Sequence, residues 1–193
     1  MNHAPLQLVC IVGHPLTGKD AAAEYLRDAC GFTFVSTGDY IRSYVTAHNL
    51  GDTSPTNLNK VSTELRRKFG PAFPIPNILE ENEAEYLVVA GPRVVAEITA
   101  LKAHGAVVVA IDAPQHVRYE RTKARKRLGD EVTFDEFVEF ERLESENPDP
   151  YAHNVSKVIA MADFHINNNG TLEDLHRAMF AVLKQIDLRT LLV

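Results

Sequence analysis

Five short apolar runs are spread along the chain, and most are followed, after a turn signal, by a segment whose apolar residues recur at helical spacing. Residues 6–12 (LQLVCIV) form a nearly unbroken apolar run, as a strand buried on both faces requires. The next segment, 19–29, sets Ala22, Leu26 and Ala29 on one side and meets Gly31 at its end, which predicts a helix with a glycine stop. Further strands are expected at 32–35, 86–90 and 106–111, with a weaker one at 162–166. Further helices are expected at 40–48, around Leu58, Val61 and Leu65 up to Gly70-Pro71, at 94–104, at 114–127 and at 171–188. Thr133 with Glu136 forms a capping-box signature that opens one more, carrying Phe134, Phe137, Val138 and Leu143. Prolines crowd 71–76 and turn residues crowd 145–152, so both are read as irregular; 167–170 (NNNG) is read as a turn only.

Strands alternating with helices at these lengths predict an α/β fold, a parallel sheet with right-handed crossovers and helices on both faces. In such sheets ligands bind at the carboxyl ends of the strands. The stretch 36–83 stands out as a largely helical excursion.

The 193 residues, 45% hydrophobic and 24% charged, suit one folded domain spanning 1–193. With 20 Lys plus Arg against 26 Asp plus Glu, the net charge of −6 argues against wrapping duplex nucleic acid, while leaving room for local basic patches. Cys10 and Cys30 lack CxxC spacing, so neither a zinc site nor a disulfide framework is expected, and a reducing cytoplasm is the expected location. No apolar run approaches the ~18 residues of a membrane span, and the N-terminal residues do not read as an export signal; no membrane partner is expected. Oligomeric state is not legible.

Directly after the first strand comes Gly13-His14-Pro15-Leu16-Thr17-Gly18-Lys19-Asp20, a GxxxxGK pattern with Asp where Ser or Thr is usual. Gly13 and Gly18 allow a backbone curl that turns successive N–H groups toward phosphate oxygens, and the following helix adds its positive end. Lys19 supplies a mobile charge for the β and γ phosphates. Gly13, His14, Thr17, Gly18, Lys19 and Asp20 are the candidate ATP phosphate-binding positions, His14 filling a variable place. Asp20 has two readings: a carboxylate ligand for Mg²⁺, or a favourable first-turn charge.

Two more motifs follow: Ser36-Thr37-Gly38-Asp39-Tyr40-Ile41-Arg42 after the second strand and Gly91-Pro92-Arg93 after the third. With the loop at Gly13, this chain resembles adenylate-kinase-like nucleoside monophosphate kinases over nearly its whole length. Asp112-Ala113-Pro114 is part of the likeness, the 163–173 stretch is also similar to dephospho-CoA kinases, and the GKD loop resembles that of phosphomevalonate and phage-type deoxynucleotide kinases. The resemblance implies a P-loop NTPase three-layer sandwich with an acceptor-binding helical insert at about 36–83 and a lid at about 120–145. It implies ATP with Mg²⁺ as donor and a nucleotide-like small molecule as acceptor. It also implies that Thr37 touches the acceptor's base or sugar and that Arg42 and Arg93 hold its phosphate.

In the 114–127 helix, Arg118, Lys123, Lys126 and Arg127 surround the i, i+4 pair Arg121 and Arg125. Arginines converging on a transferred phosphoryl group are what that chemistry needs, although a solvated basic helix has the same pattern. The resemblance makes Lys19, Arg121, Arg125 and Arg142 the catalytic cations. The segment 128–132 (LGDEV) is short and lacks Cys, so the lid is expected to be small and free of zinc. One departure stands out. Family members carry Asp before the Gly-Pro-Arg-like turn, where it helps hold Mg²⁺; here that residue is Ala90. Asp20, together with Asp112, is expected to supply the lost charge, Asp112 being equally readable as a helix cap. Besides nucleoside monophosphates, two alternatives stay open: phosphorylation of a sugar hydroxyl, as in dephospho-CoA kinases, and a regulatory module that binds nucleotide without turnover.

Overall fold

A computed structural model describes residues 7–125 and 131–186. Five strands, β1 (Gln7–Val12), β2 (Thr33–Ser36), β3 (Tyr86–Ala90), β4 (Val107–Asp112) and β5 (Phe164–Asn167), form one sheet in the order β2-β3-β1-β4-β5. Every pairing is parallel, with Cys10 opposite Val89 on one side and Val108 on the other. The chain passes from β1 to β2 on one side and later from β3 across β1 to β4 on the other, so the carboxyl end of β1 lies at the switch point where an open α/β sheet forms its crevice.

The unbroken apolar runs are explained by the two faces. Val9 and Ile11 of β1 pack with Ala22 and Leu26 of α1 (Lys19–Cys30) and with Leu175, Met179 and Leu183 of α9 (Leu172–Gln185). Leu8, Cys10 and Val12 point the other way, onto Ile98 and Leu101 of α5 (Val95–Ala103) and Val158 of α8 (Val155–Ala160). Burying each such side chain contributes roughly 1.5–3 kcal/mol.

The helical excursion consists of α2 (Thr37–Ala47), α3 (Pro55–Phe69) and α4 (Ile75–Glu80). It has a small core of its own, in which Ile41 and Val45 meet Val61, Leu65 and Phe73. α2 starts three residues before the periodicity suggests, because the Ser36 hydroxyl accepts from the Asp39 N–H and caps it. Likewise Ser54 caps α3, with Pro55 in its first turn.

Two elements correct the sequence expectations. The proline-rich stretch forms α4 because Pro76 falls in the first turn, where its missing N–H costs nothing. α8, six residues capped by Asn154, is too short to show a period. The remaining elements are α6 (Gln115–Arg125) and α7 (Phe134–Ser145), the latter with the expected reciprocal Thr133–Glu136 cap. Lys126, Arg127, residues 128–130 of the lid segment and the end of the last helix lie outside the described residues. Among the described residues, no helix is long and apolar enough to cross a membrane.

Candidate functional site

The loop after β1 is closed by contacts that leave no room for side chains at its two glycines. Gly13 has φ +145°, and a methyl there would collide with the Ile111 carbonyl; Gly18 has φ +99° and faces the Asn168 side chain. Gly18 precedes α1 without a side-chain cap, so the first-turn N–H groups are left for an external acceptor. Within the loop, the His14 carbonyl accepts from Thr17 Oγ1 at 3.0 Å and from Lys19 Nζ at 2.5 Å. His14 Nδ1 is buried and has no hydrogen-bond partner among the described residues.

The far side of the loop is braced by groups from distant sequence. Asn168 Nδ2 donates to the Thr17 carbonyl at 2.8 Å, while Arg121 donates to the Leu16 carbonyl at 3.1 Å and the Asn168 carbonyl at 3.3 Å. Lys19, Asp20, Arg121, Arg125, Asn168 and Leu172 line a cleft of about 320 Å³ alongside. The structure therefore brings together Lys19, Asp20, Arg121 and Arg125, as the sequence pattern suggests. It adds Asn168: the 167–170 turn is a buttress of the loop as well as a turn. Burial, and next the nearby Arg93, lower the Lys19 ammonium from 10.5 to about 7.

On the other side of β1, the end of β3 carries a second group. Thr37 is buried, its hydroxyl 3.4 Å from the Ala90 carbonyl. Arg93 Nη1 donates to both carboxylate oxygens of Glu144 on α7, at 2.9 and 3.0 Å. Glu144 is 4% exposed and also meets His153 Nδ1 at 3.1 Å. Burial by itself would raise the Glu144 carboxyl, but Arg93, His153 and Lys19 outweigh it and hold it down to about 2. Burial lowers His153, against the opposing hydrogen bond to Glu144.

The backbone of Arg93 is fixed as well: Glu97 Oε2 accepts from the Arg93 N–H at 2.7 Å and from the Val94 N–H at 3.1 Å. Glu97 in turn meets Arg66 at 3.2 Å, and Arg66 Nε donates to the Tyr151 carbonyl at 2.6 Å. Arg66 is thus a buried strut between the helical excursion and α5 instead of a solvated residue. Arg42 pairs with Asp39 on the exposed face of α2.

The basic helix α6 is divided. Arg118 is buried and forks onto Glu141 of α7, at 2.8 and 2.6 Å, with Asp112 Oδ1 at 3.4 Å. Arg142 pairs with Glu139 on the outer face of its own helix at 2.7 Å and is not gathered to the loop. The Asp112 side chain is 68% exposed at the end of β4. Ala90 is fully buried, so no carboxylate reaches the loop from that position. Among the described residues, no three His, Cys, Asp or Glu groups cluster as a metal cage.

Asn168, Glu97, Glu141 and Glu144 are the partners that sequence reasoning missed. Asn168 lies in a turn and Glu141 and Glu144 on an amphipathic helix, where an amide or carboxylate ordinarily faces water, while Glu97 sits in the first turn of α5, where an acid ordinarily serves the helix dipole.

No family model matches the chain. A UPF0200/UPF0201 protein of Archaeoglobus fulgidus is 35% identical over 189 residues, covering 94% of this chain and 56% of that one, so the chain spans about half of that relative's length. The UPF0200 protein of Methanocaldococcus jannaschii is 30% identical over 185 residues, covering 93% of this chain and 90% of that one. The chain belongs to the UPF0200 family. Its fold is that of the P-loop kinases. A gluconokinase from Sinorhizobium meliloti superposes with TM-score 0.58 at 14% identity, over 98% of this UPF0200 chain and 97% of that one. A shikimate kinase from Bacteroides thetaiotaomicron gives 0.59 at 12% identity, over 94% and 99%.

Proposed function

We propose that this chain is an ATP-dependent phosphotransferase that moves the γ-phosphoryl group of ATP to a nucleoside monophosphate or a similar nucleotide. The observation that carries this reading is the glycine loop with Lys19 at its base, braced by Arg121 and Asn168, opening on a cleft beside the loop. Such a loop offers N–H groups, a helix N-terminus and a lysine to a polyphosphate, and the cleft has room for the rest of a nucleotide. Mg²⁺ takes one or two carboxylates and keeps its other positions for waters and phosphates; Asp20 at the cleft offers one such carboxylate and would hold it, with exposed Asp112 at the end of β4 as a second, in place of a carboxylate at Ala90. When bound, the ion would neutralise charge on the transferring phosphates.

In the step itself, an oxygen of the acceptor phosphate bonds to the γ-phosphorus, the bond to the β-phosphate oxygen breaks, and ADP leaves with that electron pair. Charge spread over the equatorial oxygens is met by Lys19 and Arg121, with Arg125 at the cleft; Arg142, as the later lid cation, would have to leave its pair with Glu139 to join them. Thr37, Arg42 and Arg93 receive the acceptor. A phosphate acceptor needs no strong base. A sugar hydroxyl does, and Glu144, the carboxylate on Arg93, is a weak base at neutral pH when held down to about 2.

ATP consumption with Mg²⁺ is to be measured against a panel of ribo- and deoxynucleoside monophosphates plus dephospho-CoA, with Lys19→Ala as control. Lys19-dependent transfer to a monophosphate is expected. Transfer only to dephospho-CoA would favour the hydroxyl reading, and tight ATP binding without turnover would favour a regulatory module.

A further inference from the structure

Arg93 sits at the carboxyl end of β3 and is gripped at two points without being used up. Its backbone N–H is held by Glu97, and its Nη1 is held by both oxygens of Glu144. Among the described residues, Nε and Nη2 make no hydrogen bond. The guanidinium is planar and its donors lie in a fixed fork, so fixing one corner of the plane sets the direction of the others. Glu144 is itself fixed by His153, which is buried beside it, and by its place on α7, one turn from the Glu141 that forks onto Arg118.

We infer that Glu144, steadied by His153, is a positioning residue that presents the open Nε/Nη2 edge of Arg93 to one anionic oxygen group of the acceptor, phosphate in class. The inference rests on the reading of Arg93 as the acceptor-side cation. A carboxylate that merely filled the acceptor's place would engage the Nε/Nη2 edge, the geometry of a bidentate fork; this one takes the Nη1 corner and leaves that edge open. The pairing also cancels much of the arginine's net charge, so the subsite recognises by hydrogen-bond geometry more than by field. Neither Glu144 nor His153 is assigned to the transfer step, and both are buried.

The test uses the full chain with its loop saturated by MgADP and inorganic phosphate as the probe, read at the Arg93 Nε–Hε resonance, with Arg121 Nε–Hε as internal control. In the wild type, phosphate is expected to shift the Arg93 signal; in Glu144→Gln the apparent affinity is expected to fall about tenfold, with the Arg121 response unchanged. Equal or tighter phosphate binding in Glu144→Gln would overturn the inference, the carboxylate then being a competitor or an anchor. Absence of any Arg93 response in the wild type would overturn it as well. Should Glu144→Gln fail to fold, His153→Gln serves: a two- to threefold weakening supports the inference and none overturns it. Because the readout needs no turnover, a responding Arg93 in a chain that transfers phosphate to nothing on the panel would count against the kinase reading while the Glu144-oriented phosphate subsite stood.

Discussion

The two sides of the β1 switch point hold their cations in opposite ways. On the cleft side, Lys19 and Arg121 rest on neutral carbonyls, those of His14, Leu16 and Asn168. On the β3 side, Arg42, Arg66, Arg67 and Arg93 are each paired with a carboxylate, from Asp39, Glu97, Asp149 and Glu144. A carbonyl orients a cation without adding a countercharge, whereas a carboxylate orients it and cancels the charge. The first arrangement suits a polyanion such as a nucleoside triphosphate; the second suits a group of lower charge, recognised by fit.

The comparison breaks most readily at Arg66. Replacing it by Ala leaves Glu97 buried without its countercharge, which costs about 3–5 kcal/mol in denaturant unfolding. A loss below ~1 kcal/mol would mean that the pairing on this side is incidental. Next in size, Lys19→Ala should lower kcat by about 10²- to 10³-fold with little change in melting temperature, as removal of a charge aimed at the transition state does. If stability fell instead, Lys19 would be a structural cation like Arg66.

Acid titration sharpens the contrast. Glu144 is depressed from 4.5 to about 2, so between those values the unfolded chain binds more protons than the native one. Its contribution, on the order of 3 kcal/mol, is complete above pH ~4.5 and is lost as pH falls toward 2. Glu144→Gln should flatten that part of the stability curve. The donor side should show a proton effect of opposite origin. Lys19 is lowered from 10.5 to about 7 by burial and by Arg93, and bound phosphates would raise it again. At pH 8, ATP binding should therefore take up a proton, close to one per site, as calorimetry in buffers of different ionisation enthalpy would reveal; no uptake would mean that Lys19 does not meet the phosphates. Smallest of all, Arg42→Ala removes an exposed pair and should change stability by less than about 1 kcal/mol, with its effect confined to acceptor KM.

How much of this was legible before the fold follows from the range of each interaction. The sheet and the loop were, because a buried strand, a glycine pair and a helix start are written within a few neighbouring residues, as in 7–20. Helix limits shifted where a single hydroxyl, such as that of Ser36, decided them. Glu144 was not legible: its partner Arg93 is 51 positions away, and on α7 it has the spacing of any solvated acid among Glu136, Glu139 and Glu141. Arg66 and Asn168 were hidden for the same reason, their partners lying 31 and 151 positions away. The Lys19 cluster was anticipated from a motif, but the bracing of that cluster was not.

Asn168 bears on the order in which the protein becomes competent. It follows β5, the last of the described strands, and it closes the loop begun at residue 13 while its own N–H bonds to the Asp112 carbonyl at 2.7 Å. A nascent chain with four strands emerged has the glycine loop in full but lacks the amide that holds the Thr17 carbonyl and the carbonyl that anchors Arg121. The loop is therefore complete only once β5 docks, some 150 residues after the loop begins.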